Sequence, residues 1–399
     1  MIDRLTLHNF KAFRDTSLTL GPLTLLTGLN SSGKSSVLQS LALLRQSYEA
    51  GDLAASEYLP EARRSGMTVS VVNQGFLLNG ELVGLGTGED VLHEDFAGDE
   101  PRIGLAVDEG PYHYGWTVAY EAEQNLLPLL DVDLPFTSEG SAAPTGPESV
   151  APSLLTAPFQ YLHADRISPA EFYPRDHHAA IGRGFLGVRG EHTVNYLRHH
   201  ARDEVPKGPL HRRDAESDLL LDQAAAWMGD LCPGLDIRAD AIEGTDAVRL
   251  SYGFQGTLGA TRRRRPSHVG FGLTYVLPIV VACLTARPGS LVLLENPEAH
   301  LHPHGQTQMA MLCAAAAAQG AQVIMETHSD HVINGVRLAV KQKGLTPGLT
   351  PGQAVFHYFR GDGTGVEVVS PRIDADGMLD QWPEGFFDEL EKTLDQLIG

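Results

Sequence analysis

The sequence predicts an α/β fold organised on a parallel sheet, and two observations carry that prediction. Along the last third of the chain, apolar runs of strand length alternate with helical periodicity: a helix over 272–286, a buried strand at 291–294, a helix over 304–319, a strand at 322–325 and a helix over 330–342. Near the N-terminus a strand runs directly into Gly28-Leu29-Asn30-Ser31-Ser32-Gly33-Lys34-Ser35, after which 36–48 has the apolar spacing of a helix through Val37, Leu38, Leu41 and Leu44. Strand, glycine loop and helix in that order form an anion-binding turn.

The remaining elements follow the same logic. Ile2, Leu5 and Leu7, then Leu18, Leu20, Leu23, Leu25 and Leu26, read as short strands separated by a turn around Asp15 and the Gly21-Pro22 break, so a hairpin-like sheet comes first. From about 66 to 125 the strand pattern returns, with an Asn79-Gly80 turn and alternating runs around 112–120, and predicts antiparallel pairing. Between 135 and 152 the composition collapses into Ser, Ala, Pro, Gly, Thr and Glu, a surface loop or disordered excursion. Helical patterns appear at 191–203 and 215–231, followed by a polar stretch and the run Arg262-Arg263-Arg264-Arg265. Strands near 354–359 and 366–370 and an amphipathic helix over about 384–397 close the chain. The expected division is an N-terminal lobe 1–125, an insertion 126–260 with its flexible loop, a C-terminal lobe 261–345 and a short C-terminal domain 346–399.

Bulk properties narrow the function. With 399 residues, 42% hydrophobic and 20% charged, the chain has material for a substantial core. A net charge of −20 argues against coating nucleic acid with the whole surface, leaving only a local basic stripe for such contact. Three cysteines without CxxC pairing suggest neither a disulfide scaffold nor a zinc ribbon, and point to the cytoplasm. Residues 1–20 lack the pattern of a signal peptide, and the apolar stretch 275–286 is too short to span a bilayer, so no membrane partner is expected.

Gly28-x-x-x-x-Gly33-Lys34-Ser35 matches the Walker A pattern, in which backbone amides cradle phosphates, Lys34 reaches the β/γ-phosphates and the Ser35 hydroxyl binds Mg²⁺. Asn30, Ser31, Ser32 and Ser36 complete the expected cofactor-binding loop for ATP. An apolar strand ending in an acid should hold the magnesium across from Ser35, and Leu291-Val292-Leu293-Leu294-Glu295 supplies one far down the chain. That separation excludes a compact Ras-like fold.

Leu293-Leu294-Glu295-Asn296-Pro297-Glu298-Ala299-His300-Leu301-His302-Pro303 resembles the Walker B and D-loop segment of ABC-type ATPases related to the OLD, RecF and SMC proteins. Glu326-Thr327-His328-Ser329 resembles their switch histidine, which implies contact of His328 with the γ-phosphate. Ser267-His268-Val269-Gly270-Phe271-Gly272 resembles their signature motif in position, and implies that Ser267, Gly270 and Gly272 of one protomer close over ATP held by another. The resemblance implies an ABC-type head with mixed sheet and helices, a long insertion between Walker A and signature, and a homodimer or higher homo-oligomer. The segments 76–85 and 161–173, with Asp165-Arg166, and the tail Trp382-Pro383-x-Gly385-Phe386-Phe387-Asp388 look like a bacterial subfamily with a short C-terminal domain of unknown function. Members of that subfamily occur among ATPase subunits of anti-phage defence, which implies a separate nuclease or toxin as effector.

The match departs at Asn296, where most such heads carry the glutamate that polarises water. Asparagine orients a water but cannot take its proton, so turnover is slow, or Glu298 serves as base, or the protein senses nucleotide without much catalysis. The catalytic candidates are therefore Glu295, Asn296, Glu298 and His328, with Ser35 and Glu295 as Mg²⁺ ligands. His300, His302 and His304 read as turn residues rather than a metal set. Asp374-Ala375-Asp376 resembles the acidic pair of Toprim nucleases, but too little chain follows His328 for that domain. Arg262, Arg263, Arg264 and Arg265 are a candidate for DNA or partner contact, with a solvated loop as the alternative. Lys11 and Arg14 divide evenly between nucleotide contact and surface charge. A RecF/SMC-like repair head and a non-hydrolysing sensor or scaffold remain the competing functions.

Overall fold

Leu5 and Leu7 alternate with Arg4, Thr6 and His8, so one face of the segment is apolar and buries as a strand. This is β1 (Arg4–Phe10) of a computed structural model that describes residues 1–53, 74–96, 98, 100–134, 151–256, 259–341, 348–361, 365–383 and 389–398. The chain divides into two units, each discontinuous in sequence: residues 1–21, 29–157 and 359–368 in the first, 22–28, 158–358 and 369–399 in the second.

In the first unit an antiparallel sheet has the order β2-β1-β5-β6-β7-β4, with β2 (Phe13–Thr19), β4 (Gly75–Leu77), β5 (Arg102–Glu109), β6 (Tyr112–Ala119) and β7 (Leu126–Asp133). Antiparallel pairing was the expectation for this region. The turn of the first hairpin, however, lies at Lys11-Ala12 and not at Asp15, because Phe10 pairs with Phe13 and Asp15 sits inside β2 opposite His8. Asn9 and Lys11 take left-handed φ values of 49° and 50°, which makes the reversal. Asp15 is an exposed strand residue whose polarity imitates a turn. The Asn79-Gly80 pair opens a longer loop closed by an Asn79–Gly84 bridge, while β4 itself pairs with β7. Helix α1 (Lys34–Glu49) buries Val37, Leu38, Leu41 and Leu44. Its Gln46 accepts from the amides of Leu82 and Val83, both at 2.9 Å, and so closes that loop.

In the second unit β3 (Leu23–Gly28), β14 (Gln322–Glu326), β13 (Leu291–Glu295) and β8 (Phe159–Leu162) lie side by side and parallel. Beyond β3 the sheet continues with β15 (Ala354–Gly361), of which residues 354–358 belong to this unit. The central strands are apolar on both faces, as a covered parallel sheet requires. Around them stand α2 (Thr193–His200), α3 (Leu220–Gly229), α4 (Phe271–Thr285), α5 (Pro303–Ala318) and α6 (Asp330–Lys341). A second antiparallel sheet is built from β9 (Tyr173–Pro174), β10 (Leu235–Ala241), β11 (Ala247–Gly256) and β12 (Gly259–Ala260), and α7 (Glu389–Ile398) ends the described chain. Residues 126–260, expected as an insertion, thus supply β7, the edge strand β8, the helices α2 and α3 and the whole second antiparallel sheet. Of the loop expected at 135–152, residues 135–150 lie outside the described residues, as do 66–73 of the early strand pattern and 384–388 of the tail.

Helices α5 and α6 approach closely because Gly335 has no side chain: a Cβ there would sit 2.6 Å from Ala310 Cβ and 2.7 Å from the Thr307 carbonyl oxygen. Gly335→Ala is therefore expected to destabilise the protein by about 1–3 kcal/mol through overpacking. Urea unfolding should show a lower midpoint with an unchanged slope; an unchanged midpoint would mean the helices separate without cost.

Candidate functional site

Within the first unit, the loop between β3 and α1 has the geometry of an anion cradle. Ser31 and Gly33 are left-handed, with φ of 59° and 91°, and Gly33 caps α1, a turn chemistry and a positive helix end that suit an anion. Gly33 is required sterically, since a Cβ would lie 2.8 Å from Phe13 Cζ. Ser32 Oγ donates to the Leu29 carbonyl at 2.7 Å, and the nearly buried Lys34 donates its ammonium to the same oxygen. Asn30, Ser31, Ser32, Gly33, Lys34, Ser35 and Ser36 all belong to this unit, while Gly28 ends β3 in the other.

Within the second unit, the acids converge because β13 and β14 are parallel and in register, which puts Glu295 beside Glu326 at their C-terminal ends. The Glu295 carboxylate accepts from the Tyr161 hydroxyl and, through its other oxygen, from the Ala164 amide at 3.0 Å. Burial, with Glu295 beside it, pushes the Tyr161 hydroxyl well up, so it stays a donor. Asn296 turns the chain with a left-handed φ of 43°; its amide reaches the Glu326 carbonyl at 2.9 Å. Asparagine tolerates that conformation better than most residues, a backbone reason for its presence.

Glu298 is buried, and its Oε1 accepts the His328 amide at 2.8 Å, tying the turn after β13 to the segment after β14. Its Oε2 and the Asn296 Oδ1 are buried without a hydrogen-bond partner. Burial pushes the Glu298 carboxyl up, against the pull of the His328 amide. Glu295, Asn296, Glu298 and His328 are therefore brought together. Buried oxygens lacking donors, beside a fixed carboxylate, suit a hydrated cation and a proton transfer, so the residues present fit Mg²⁺ bound with a nucleotide.

Gly270 caps α4, and Gly270 and Gly272 line a cleft of about 380 Å³ together with His300, His302, His304, Asp230 and Cys232. Gly272 is needed there, since a Cβ would lie 2.8 Å from the His300 carbonyl oxygen. Ser267 is exposed on the preceding 3₁₀ turn and does not line the cleft. The His300 ring packs against Phe271 and Tyr275, with centroids at 5.2 and 4.6 Å, as an aromatic contact. Among the described residues no group of three or more His, Cys, Asp or Glu could hold a metal ion.

Several of the other candidates make contacts within the chain. Arg263 is ion-paired with Asp236 and Arg265 with Glu171 at 2.5 Å, while Arg264 lies over the Phe254 ring, so the basic run is partly neutralised. Asp374 caps its own turn by accepting from the Asp376 and Met378 amides at 2.8 and 2.9 Å. Lys11, half-buried, donates to Gln39 on α1 at 2.8 Å, and Arg14 is exposed. Motif reading missed the roles of Tyr161, Ala164 and Arg166, which no spacing rule connects to residue 295. No described helix is long and apolar enough to cross a membrane.

Three family models match segments of the chain: an AAA ATPase domain over residues 1–74, an AAA domain described as putative AbiEii toxin, Type IV TA system, over 176–334, and a protein of unknown function, DUF3696, over 349–397. The P-loop falls in the first segment, and Glu295 and His328 in the second. No curated protein matches the chain. Among solved structures, the SMC head domain from Thermotoga maritima is 13% identical over 92% of this chain and 98% of its own, with a TM-score of 0.41. An SmcHead bound to the C-winged helix domain of ScpA is 13% identical over 93% and 97%, at 0.48. An Smc head domain with an extended coiled coil, bound to the C-terminal domain of ScpA derived from Pyrococcus furiosus, is 11% identical over 100% and 99%, also at 0.48. These are distant likenesses of fold alone. The two AAA matches support an ATP-binding ATPase, and the architecture is mixed α/β.

Proposed function

We propose that this chain binds Mg²⁺-ATP, hydrolyses it slowly and closes as a dimer around the nucleotide to control a partner effector. The observation that carries the reading is the lock between the Glu295–Glu298 turn and the switch segment, made by the Glu298 carboxylate on the His328 amide. In this reading Gly28 and residues Asn30 to Ser36 hold the phosphates, Lys34 faces the β/γ-phosphates, and Ser35 and Glu295 hold the metal. Mg²⁺ supplies neutralisation of the charge that develops on the phosphoryl oxygens. Asn296 orients a water without taking its proton; Glu298, with a free buried oxygen, is the acceptor. His328 stands at the γ-phosphate, and Ser267, Gly270 and Gly272 of a second copy close the site.

The effector is a separate nuclease or toxin and the setting anti-phage defence, a reading supported by the resemblance of motifs and tail. Partial neutralisation of Arg262–Arg265 leaves direct DNA contact, and with it the RecF/SMC-like repair head, less favoured. The non-hydrolysing sensor is kept as a second reading because Asn296 occupies the position after the metal-holding acid. The test is light scattering of the purified protein with and without Mg²⁺-ATP, alongside phosphate release. A dimer or larger closed species that forms with ATP and decays with slow phosphate release supports the proposal. ATP-dependent assembly without release selects the sensor, and no binding and no change of assembly sinks both.

A further inference from the structure

The segment that follows β8 carries two side chains that the sequence motifs leave unexplained, and both converge on the acid that ends β13. Tyr161 is fully buried, and its hydroxyl donates to Glu295 Oε1 while the Ala164 amide donates to Oε2 at 3.0 Å. A carboxylate held by one donor on each oxygen has lost its rotation, and one lone-pair direction remains on each oxygen for another ligand. Arg166 is 0% exposed, and its guanidinium donates to three main-chain carbonyls: His163 at 2.9 Å, Glu295 at 2.8 Å and Asn296 at 2.7 Å. A buried charge held by backbone carbonyls rather than by a hydrogen-bonded carboxylate, with its Nε left without a partner, is costly to keep, and it here fixes the two successive peptides that flank Asn296. The same guanidinium lies 5.3 Å from the ring centroid of Tyr275 on α4, the helix that begins at Gly270.

We infer that Tyr161 and Arg166 are positioning residues for the metal-holding acid: Tyr161 sets the rotamer of the Glu295 carboxylate, and Arg166 sets the backbone turn beneath it and couples that turn to α4. The inference rests on the proposed role of Glu295 and adds the residues that determine its metal affinity. Outer partners of metal-ligating carboxylates change metal affinity by about 10–100-fold when removed. Tyr161→Phe removes one hydroxyl from a buried ring and leaves its packing, so the fold is retained. Arg166→Lys keeps the charge but cannot reach three carbonyls from one planar fork.

The experiment titrates Mn²⁺ into the protein with a saturating non-hydrolysable ATP analogue, reading bound metal by electron paramagnetic resonance, and measures analogue affinity separately without metal. For Tyr161→Phe the expected result is metal affinity weakened by about 10-fold or more, with metal-free nucleotide affinity and thermal midpoint near wild type. Arg166→Lys should weaken metal affinity as well, with a changed Mn²⁺ line shape reporting an altered ligand geometry. If both variants bind Mn²⁺ as wild type does, the positioning role is overturned. If wild type itself shows no nucleotide-dependent Mn²⁺ signal, or shows one that Glu295→Gln leaves intact, the functional reading of Glu295 fails first; a wild-type signal that Glu295→Gln abolishes but both positioning variants keep overturns the positioning role alone.

Discussion

Lys34→Ala is expected to weaken ATP binding by about 100-fold or more, the largest single effect in the protein. Its ammonium is nearly buried and held on the Leu29 carbonyl, within the loop that leads into the N-terminus of α1. A charge-assisted contact in such a partly desolvated loop is about twice as strong as a neutral one, and loss of one preorganised donor to a developing oxyanion costs about 100- to 1,000-fold in rate, which sets the scale expected here. The left-handed Ser31 and Gly33 and the start of α1 remain in the variant, so residual weak binding of phosphate is expected. Isothermal titration with ATP, checked by circular dichroism for an intact fold, measures this. Wild-type affinity in Lys34→Ala would remove the P-loop from the mechanism.

Glu298→Gln is the second large effect, with turnover expected to fall by about 100-fold while ATP affinity is kept. The amide oxygen of glutamine still accepts the His328 amide, so the lock between turn and switch survives and only the proton acceptor is lost. The same variant makes a pH prediction. Burial raises the Glu298 carboxyl above its ordinary value of 4.5, so the folded protein favours the neutral acid. That stabilisation is complete below the unfolded value and is lost as pH rises through the folded value, where a charge must be buried. Glutamine cannot ionise, so Glu298→Gln should gain stability relative to wild type as pH rises from about 4.5 towards 8. Paired urea unfolding curves across that range check the sign. A difference that shrinks with rising pH would show that Glu298 is stabilised as an anion.

Much of this molecule is legible without coordinates, and the reason is local. Apolar patterning gave the helices at 272–286, 304–319 and 330–342 within one or two residues of α4, α5 and α6, because α6 buries one face and α4 is buried on every side from Leu273 to Leu284. The glycine loop was readable because positive φ and close approach to Phe13 leave little choice of residue at Gly33. Where polarity and conformation part company, reading fails: Asp15 looks like a turn but is an exposed strand residue, and the reversal lies at Lys11-Ala12.

The sequence by itself determined the strand–loop–helix around Lys34, the acid-terminated strand at Glu295 and the alternation that demands a parallel sheet, since each depends on neighbours along the chain. Tertiary structure alone decided that Glu298 holds His328, that Tyr161 and Arg166 grip the Glu295–Asn296 turn, and that Asp236 and Glu171 neutralise part of the basic run. Those contacts join residues far apart in sequence, and which buried donor meets which acceptor follows from strand order and register, which no local pattern encodes.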